Sequence, residues 1–142
     1  MIFDECTSGF RQTLGGIHNL YKVNPDILIL GKALGNGYPI NAILGTSKVM
    51  DHAQDSFISS TFWTERLGPV AALETLKEMK RIKSWEIISK NGKFIKKKWL
   101  EIAKKYNIEI DISGLDAIPS FTFRKNHLKY KTFLSYFFLQ NN

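Results

Sequence analysis

Cysteine is almost absent. Cys6 is the single one in 142 residues, which excludes an internal disulfide and fits a reducing, cytosolic setting. Long apolar runs are absent as well. No stretch approaches the roughly 20 apolar residues of a membrane span, and Met1-Ile2-Phe3 meets Asp4 at once, so no secretory leader is expected. A cytoplasmic location without a membrane partner is the expectation. Histidine is sparse, with three in the chain. His18 has no second histidine or cysteine at metal-ligand spacing, so no metal site is expected, and His18 reads as an exposed helix residue.

What is present is an ordinary globular balance, 44% hydrophobic and 23% charged, in a length that suits one domain with a modest core. The net charge of +7 is uneven. Residues 77–105 hold 11 of the 20 lysines and arginines and 3 of the 13 acids, or +8, which leaves −1 for the rest. A nucleic-acid footprint concentrates charge in this way. Here the lysines interleave with a regular apolar stripe, the pattern of a helix with one wet face, and no nucleic-acid partner is expected.

The chain is organised around Asp26–Ile40. Ile27–Leu30 is a short, wholly apolar run of the kind a buried strand shows, and it stops at Gly31. Lys32 follows, at the carboxyl end of that strand, where open α/β sheets place their ligands. Partial desolvation is expected for its ammonium, making it a candidate Schiff-base former. Gly35 and Gly37 then permit a chain reversal close to a ligand. Upstream, Met1-Ile2-Phe3 is a second apolar run and ends in Asp4-Glu5. Two such strands in parallel put an acid and an amine at one sheet edge. A pyridoxal phosphate site needs both: an amine to bond the aldehyde, and a carboxylate to keep the pyridine nitrogen protonated.

Ile2–Arg11 (IFDECTSGFR), Leu14-Gly15-Gly16, Asn24-Pro25-Asp26 and Leu30–Ile40 (LGKALGNGYPI) together closely resemble the class III aminotransferases. That group includes glutamate-1-semialdehyde aminomutase and related sugar and amino-acid aminotransferases. The resemblance continues through Ser60–Arg66 (STFWTER) and the following helix, more loosely to about Phe123, and stops beyond Leu134. It implies a fold type I architecture: an α/β large domain with a mostly parallel sheet and helices, and the start of a small C-terminal α+β domain. Residues 1–82 would be the partial cofactor-binding large domain, 83–134 a long connecting helix with the start of the small domain, and 135–142 a divergent tail.

The resemblance also implies pyridoxal 5'-phosphate as cofactor, with a small-molecule amino donor and a carbonyl acceptor as partners. Lys32 would be the catalytic lysine, Asp4 would pair with the pyridine nitrogen, and Thr61 would bind the cofactor phosphate of the other subunit of a homodimer. Thr64 is the rival phosphate contact. Arg11 is a substrate-carboxylate candidate or a structural ion pair. The family's chains are longer at both ends, so the expectation is an inactive fragment with apolar edges uncovered. The Thr-Phe-Trp-Thr-Glu-Arg form points to a transaminase acting on a sugar or other small carbonyl. The alternatives are the aminomutase, which uses the same residues, and a non-catalytic remnant or basic interaction module.

For the remaining elements, the spacing predicts a loop and short helix over Thr7–Leu20 and a strand over Ile40–Leu44. Ser47 is expected to cap a helix Lys48–Ala53. Hydroxyls from Ser59 to Thr64, with free amides at the start of a helix Leu67–Ile82, would form a phosphate site. A second helix, Trp85–Tyr106, is open to interruption at Asn91-Gly92, followed by strands at Ile108–Ile112 and Ile118–Phe123. Phe133–Leu139 is an uncharged aromatic run with the composition of an aggregation-prone segment.

Overall fold

The computed structural model describes residues 1–141. Contacts divide the chain into two compact units, Met1–Ile88 and Ser89–Asn142, whereas the sequence placed a boundary between residues 82 and 83.

The first unit is built on a three-stranded sheet. Strand β1 (Ile2–Asp4) runs parallel to β2 (Ile27–Leu30), with Ile2 opposite Ile27 and Asp4 opposite Ile29. Strand β3 (Ala42–Gly45) runs antiparallel to β2, with Leu30 opposite Ala42. β2 is therefore central, which is why its four residues are all apolar while its neighbours are more mixed. Helix α1 (His18–Tyr21) follows β1, a 3₁₀ turn (Lys32–Leu34) follows β2, and helix α2 (Ser47–Met50) follows β3. Thr46, not Ser47, stands at the N-cap of α2, and no side chain caps it. Ser47 cannot serve because its own backbone is already helical.

Helix α3 spans Leu67–Ile82, as the apolar spacing predicts. Its Ala72 joins Phe10, Leu30 and Leu34 in a small core, with Leu28, Ile40, Leu76 and Met79 packed around it. Much apolar surface stays uncovered: Ile2 and Ile43 on the outer strands are 62% and 61% exposed, and Phe57 is 96% exposed.

Helix α4 (Ser84–Lys105) has no break at Asn91-Gly92. Gly92 has a packing role: a Cβ there would lie 1.5 Å from the carbonyl oxygen of Asp116. The second unit adds the antiparallel pair β4 (Ile110–Ser113) and β5 (Ser120–Phe123), then helix α5 (His127–Gln140). Edge-to-face rings run from Trp99 to Phe121 and on to Phe123, with centroids 4.9 and 5.3 Å apart. Lys96 donates to Asp116 Oδ1 at 3.0 Å and to the Gly114 carbonyl at 2.8 Å. Lys98 pairs with Glu101 at 2.6 Å on the same helix, so part of the basic run is internally matched. The aromatic run Phe133–Leu139 lies inside α5, with Phe133, Phe137 and Phe138 exposed. Four of its seven residues are aromatic, yet Lys131 and Thr132 before it and Ser135 within it continue a helix rather than a strand.

Candidate active site

The site starts from the parallel pairing of β1 and β2. Parallel neighbours finish at the same end of a sheet, so Asp4, the last residue of β1, and the turn after β2 that begins with Lys32 leave the sheet together. Lys32 has φ 43°, a left-handed conformation that costs an L-residue about 1–2 kcal/mol. Asn36 (φ 47°) and Gly37 (φ 103°) also take positive φ in the reversal that follows. Positive φ recurring across one short segment marks a backbone shaped by its surroundings rather than by local preference.

The side chain of Lys32 reaches back to the segment after β1. Its Nζ donates to Thr7 Oγ1 at 2.6 Å. Asp4 Oδ1 accepts the backbone N–H of Cys6 at 3.0 Å, which turns the chain sharply towards Thr7. Arg11 Nε donates to the carbonyl of Thr7 at 3.3 Å. Lys32 also borders a cavity of about 440 Å³ that Arg11, Glu78 and Ser84 help to line. The expected desolvation of Lys32 is corrected: its side chain is exposed, because the 3₁₀ turn lifts it out of the sheet while Leu34 takes the buried position.

Sequence reasoning missed the pair beneath this surface. Glu5 is 2% exposed and His18 9%. His18 was expected on a wet helix face; instead its Nδ1–H donates to Glu5 Oε1 at 2.7 Å. Glu5 also accepts the backbone N–H groups of Ile17 (2.5 Å) and His18 (3.1 Å) and the hydroxyl of Ser8 (3.0 Å). Burial pushes the Glu5 carboxyl up, but those hydrogen bonds outweigh it and hold the group below its ordinary value. The strand alternation carried the signal, since Glu5 follows Asp4 and must point to the opposite side. One carboxylate is presented at the surface, and the other ties down the loop that returns to α1.

Thr61 and Thr64 lie on the exposed loop before α3, and neither lines the cavity beside Lys32. The free helix amides expected there are already used. Glu65 accepts the N–H of Leu67 and, at 2.9 Å, that of Gly68. The Gly68 and Leu67 amides and the Tyr38 hydroxyl hold the Glu65 carboxyl below its ordinary value, against the opposing effect of burial. An anion at this helix start would meet a carboxylate rather than open donors. Among the described residues no cluster suited to a metal ion occurs, and no helix is long and apolar enough to cross a membrane.

Comparison with known proteins gives the same frame. The family model for class-III aminotransferases matches residues 1–137, so the likeness runs further than Leu134. The 3-aminobutyryl-CoA aminotransferase of Cloacimonas acidaminovorans is 34% identical over 89% of this chain and 31% of its own length. The glutamate-1-semialdehyde 2,1-aminomutase of Methanosphaera stadtmanae is 31% identical over 98% of this chain and 36% of its own. Among solved structures, the FumI protein of Sphingopyxis sp. MTA144, in its PLP internal aldimine form, superposes with a TM-score of 0.84. It shares 27% identity over 88% of this chain and 30% of that one. Ornithine delta-aminotransferase of Plasmodium falciparum gives 0.75 at 28% identity. The chain thus spans about a third of the relatives it matches. With its α/β fold, it belongs to the class III aminotransferases, pyridoxal-phosphate enzymes of fold type I.

Proposed function

We propose that this chain supplies the lysine and the acid of a transamination site that moves an amino group between an amino donor and a small carbonyl or sugar substrate. The observation that supports it is the emergence of Lys32 and Asp4 at one end of a parallel strand pair, with the lysine amine held on the segment that follows Asp4. The donor set fits pyridoxal phosphate: an amine for its aldehyde, and a carboxylate at the end of the neighbouring parallel strand for the ring nitrogen. The cofactor, when bound, supplies a ring that accepts electrons from the substrate carbon.

Lys32 has two tasks in this reading. Its neutral amine would bond the cofactor's aldehyde carbon with loss of water; once the donor's own amine takes its place there, the freed Nζ would take a proton from the substrate carbon and return one, as base and acid in turn. The Asp4 carboxylate would hold a proton on the ring nitrogen by charge and hydrogen bonding. Thr61, on an exposed loop, is assigned to the phosphate bound by a second copy, with Thr64 as its rival. That assignment requires a homodimer, and the exposed apolar side chains of the first unit, Ile2, Ile43 and Phe57 among them, support one. The single cysteine supports a cytoplasmic setting.

The aminomutase reaction is the second reading, favoured by the Methanosphaera relative that aligns with 98% of this chain. It makes the same demands on Lys32 and Asp4. Reduction with borohydride in the presence of pyridoxal phosphate, followed by peptide mapping, tests the shared core of both. A label on Lys32 that disappears in Lys32→Ala is the expected result. Label scattered over the lysines of α4 and unchanged in Lys32→Ala would instead favour a basic interaction module.

A further inference from the structure

The contact between Lys32 and Thr7 is short, local to the site and built rather than incidental. Thr7 sits on a segment whose backbone is fixed on both sides. Cys6 N–H is bound to Asp4, Gly9 N–H donates to the Glu5 carbonyl at 2.8 Å, and Arg11 grips the carbonyl of Thr7 itself. Lys32 is likewise fixed by its left-handed backbone and by the N–H of Gly35 on its carbonyl at 3.2 Å. Glu5 is turned inward onto His18, and Glu78 of α3, which lines the same cavity, is paired with Arg81. The partner of the amine is therefore a hydroxyl and not an anion.

That choice has a chemical consequence. An ammonium can only donate, and a carboxylate partner would hold it protonated. A hydroxyl both donates and accepts. When Lys32 is an ammonium, Nζ–H donates to Thr7 Oγ1; when it is neutral, Oγ1–H donates to the nitrogen lone pair. One contact survives the loss of the proton by reversing its direction.

We propose that Thr7 is a positioning residue for Lys32, a docking point that keeps the released amine in place in both protonation states without trapping either. This rests on the reading of Lys32 as the lysine that bonds the cofactor. No covalent bond to Thr7 forms or breaks.

The test is trace acetylation of the intact chain with acetic anhydride, without cofactor. The rate at Lys32 is taken relative to Lys80 of α3, within one sample. Thr7→Val and Thr7→Ala, which remove the hydroxyl, should raise the relative rate at Lys32 by about 3- to 10-fold, the factor that one ordinary net hydrogen bond represents. Thr7→Ser should match the parent. Thr7→Asp should lower the rate by a similar factor, because a fixed anion holds the amine protonated. Equal rates in the parent, Thr7→Val and Thr7→Ala would overturn the proposal, as would a serine variant that behaves like valine. Circular dichroism identifies any variant that does not fold, and valine and alanine differ enough in bulk for one to serve if the other fails. Borohydride mapping of the parent is read separately. Label on Lys32 with unchanged acetylation removes the role of Thr7 alone. The expected acetylation pattern with no cofactor label on Lys32 leaves the docking contact and removes the functional reading.

Discussion

Glu5 and His18 form a buried pair, Nδ1 to Oε1 at 2.7 Å, that closes the loop between β1 and α1. Because a carboxylate only accepts, the facing nitrogen must carry the hydrogen. Two backbone N–H groups and the Ser8 hydroxyl converge on the same carboxylate. Four donors on one buried acid make it the anchor of the segment that carries Thr7 and Arg11.

Glu5→Ala leaves those donors without their acceptor and is expected to cost about 3–5 kcal/mol, the range for breaking a buried pair on one side. Glu5→Gln, which keeps the shape and half the acceptor capacity, should cost less. The folded-state value of Glu5 is depressed below 4.5. Its contribution is therefore fully present above 4.5 and is lost as pH falls through the folded value. Denaturant titrations of the parent and Glu5→Gln across this acid range should converge as pH falls. Parallel curves would show that Glu5 does not carry the acid sensitivity.

Gly92 offers a test with an inverted sign. Inside an exposed helix, glycine to alanine is worth about 1 kcal/mol of added stability. At this position the new Cβ would lie 1.5 Å from the Asp116 carbonyl oxygen, and the expected outcome is a loss of about 1–3 kcal/mol from overpacking. Thermal melts of Gly92→Ala decide it, and a higher melting temperature would contradict the close approach of α4 to the loop before β5.

At the start of α3, Glu65 competes with anions for the Leu67 and Gly68 amides. In the parent, inorganic phosphate should leave those two amide resonances in place; in Glu65→Ala it should shift them, since the helix terminus is then open. A phosphate-dependent shift of equal size in both proteins would mean that the carboxylate does not occupy the site.

The legible part of the fold was the part set by periodicity. Ile27–Leu30 and Leu67–Ile82 were readable to the residue because an unbroken apolar run and a helical stripe each have few alternatives. Gly92 misled as a possible interruption because its value lies in a neighbour, the Asp116 carbonyl, that no local pattern encodes. His18 misled for the same reason: a lone histidine beside a turn has the statistics of a surface residue, and only the return of the loop onto Glu5 buries it. Lys32 and Asp4 could be placed at one sheet end from strand order alone. Thr7 could not be singled out, since a threonine in a polar loop carries no periodic signal, and the turn that lifts Lys32 towards it is visible only in three dimensions.

The central claim is that Lys32 and Asp4 hold opposite sides of one ring. Nitrogen NMR of the chain loaded with pyridoxal phosphate labelled at the ring nitrogen reads this directly at mildly alkaline pH. A protonated ring nitrogen in the parent that becomes unprotonated in Asp4→Ala, with the cofactor still attached at Lys32, is the predicted result. A ring nitrogen in the same state in both proteins would contradict the pairing.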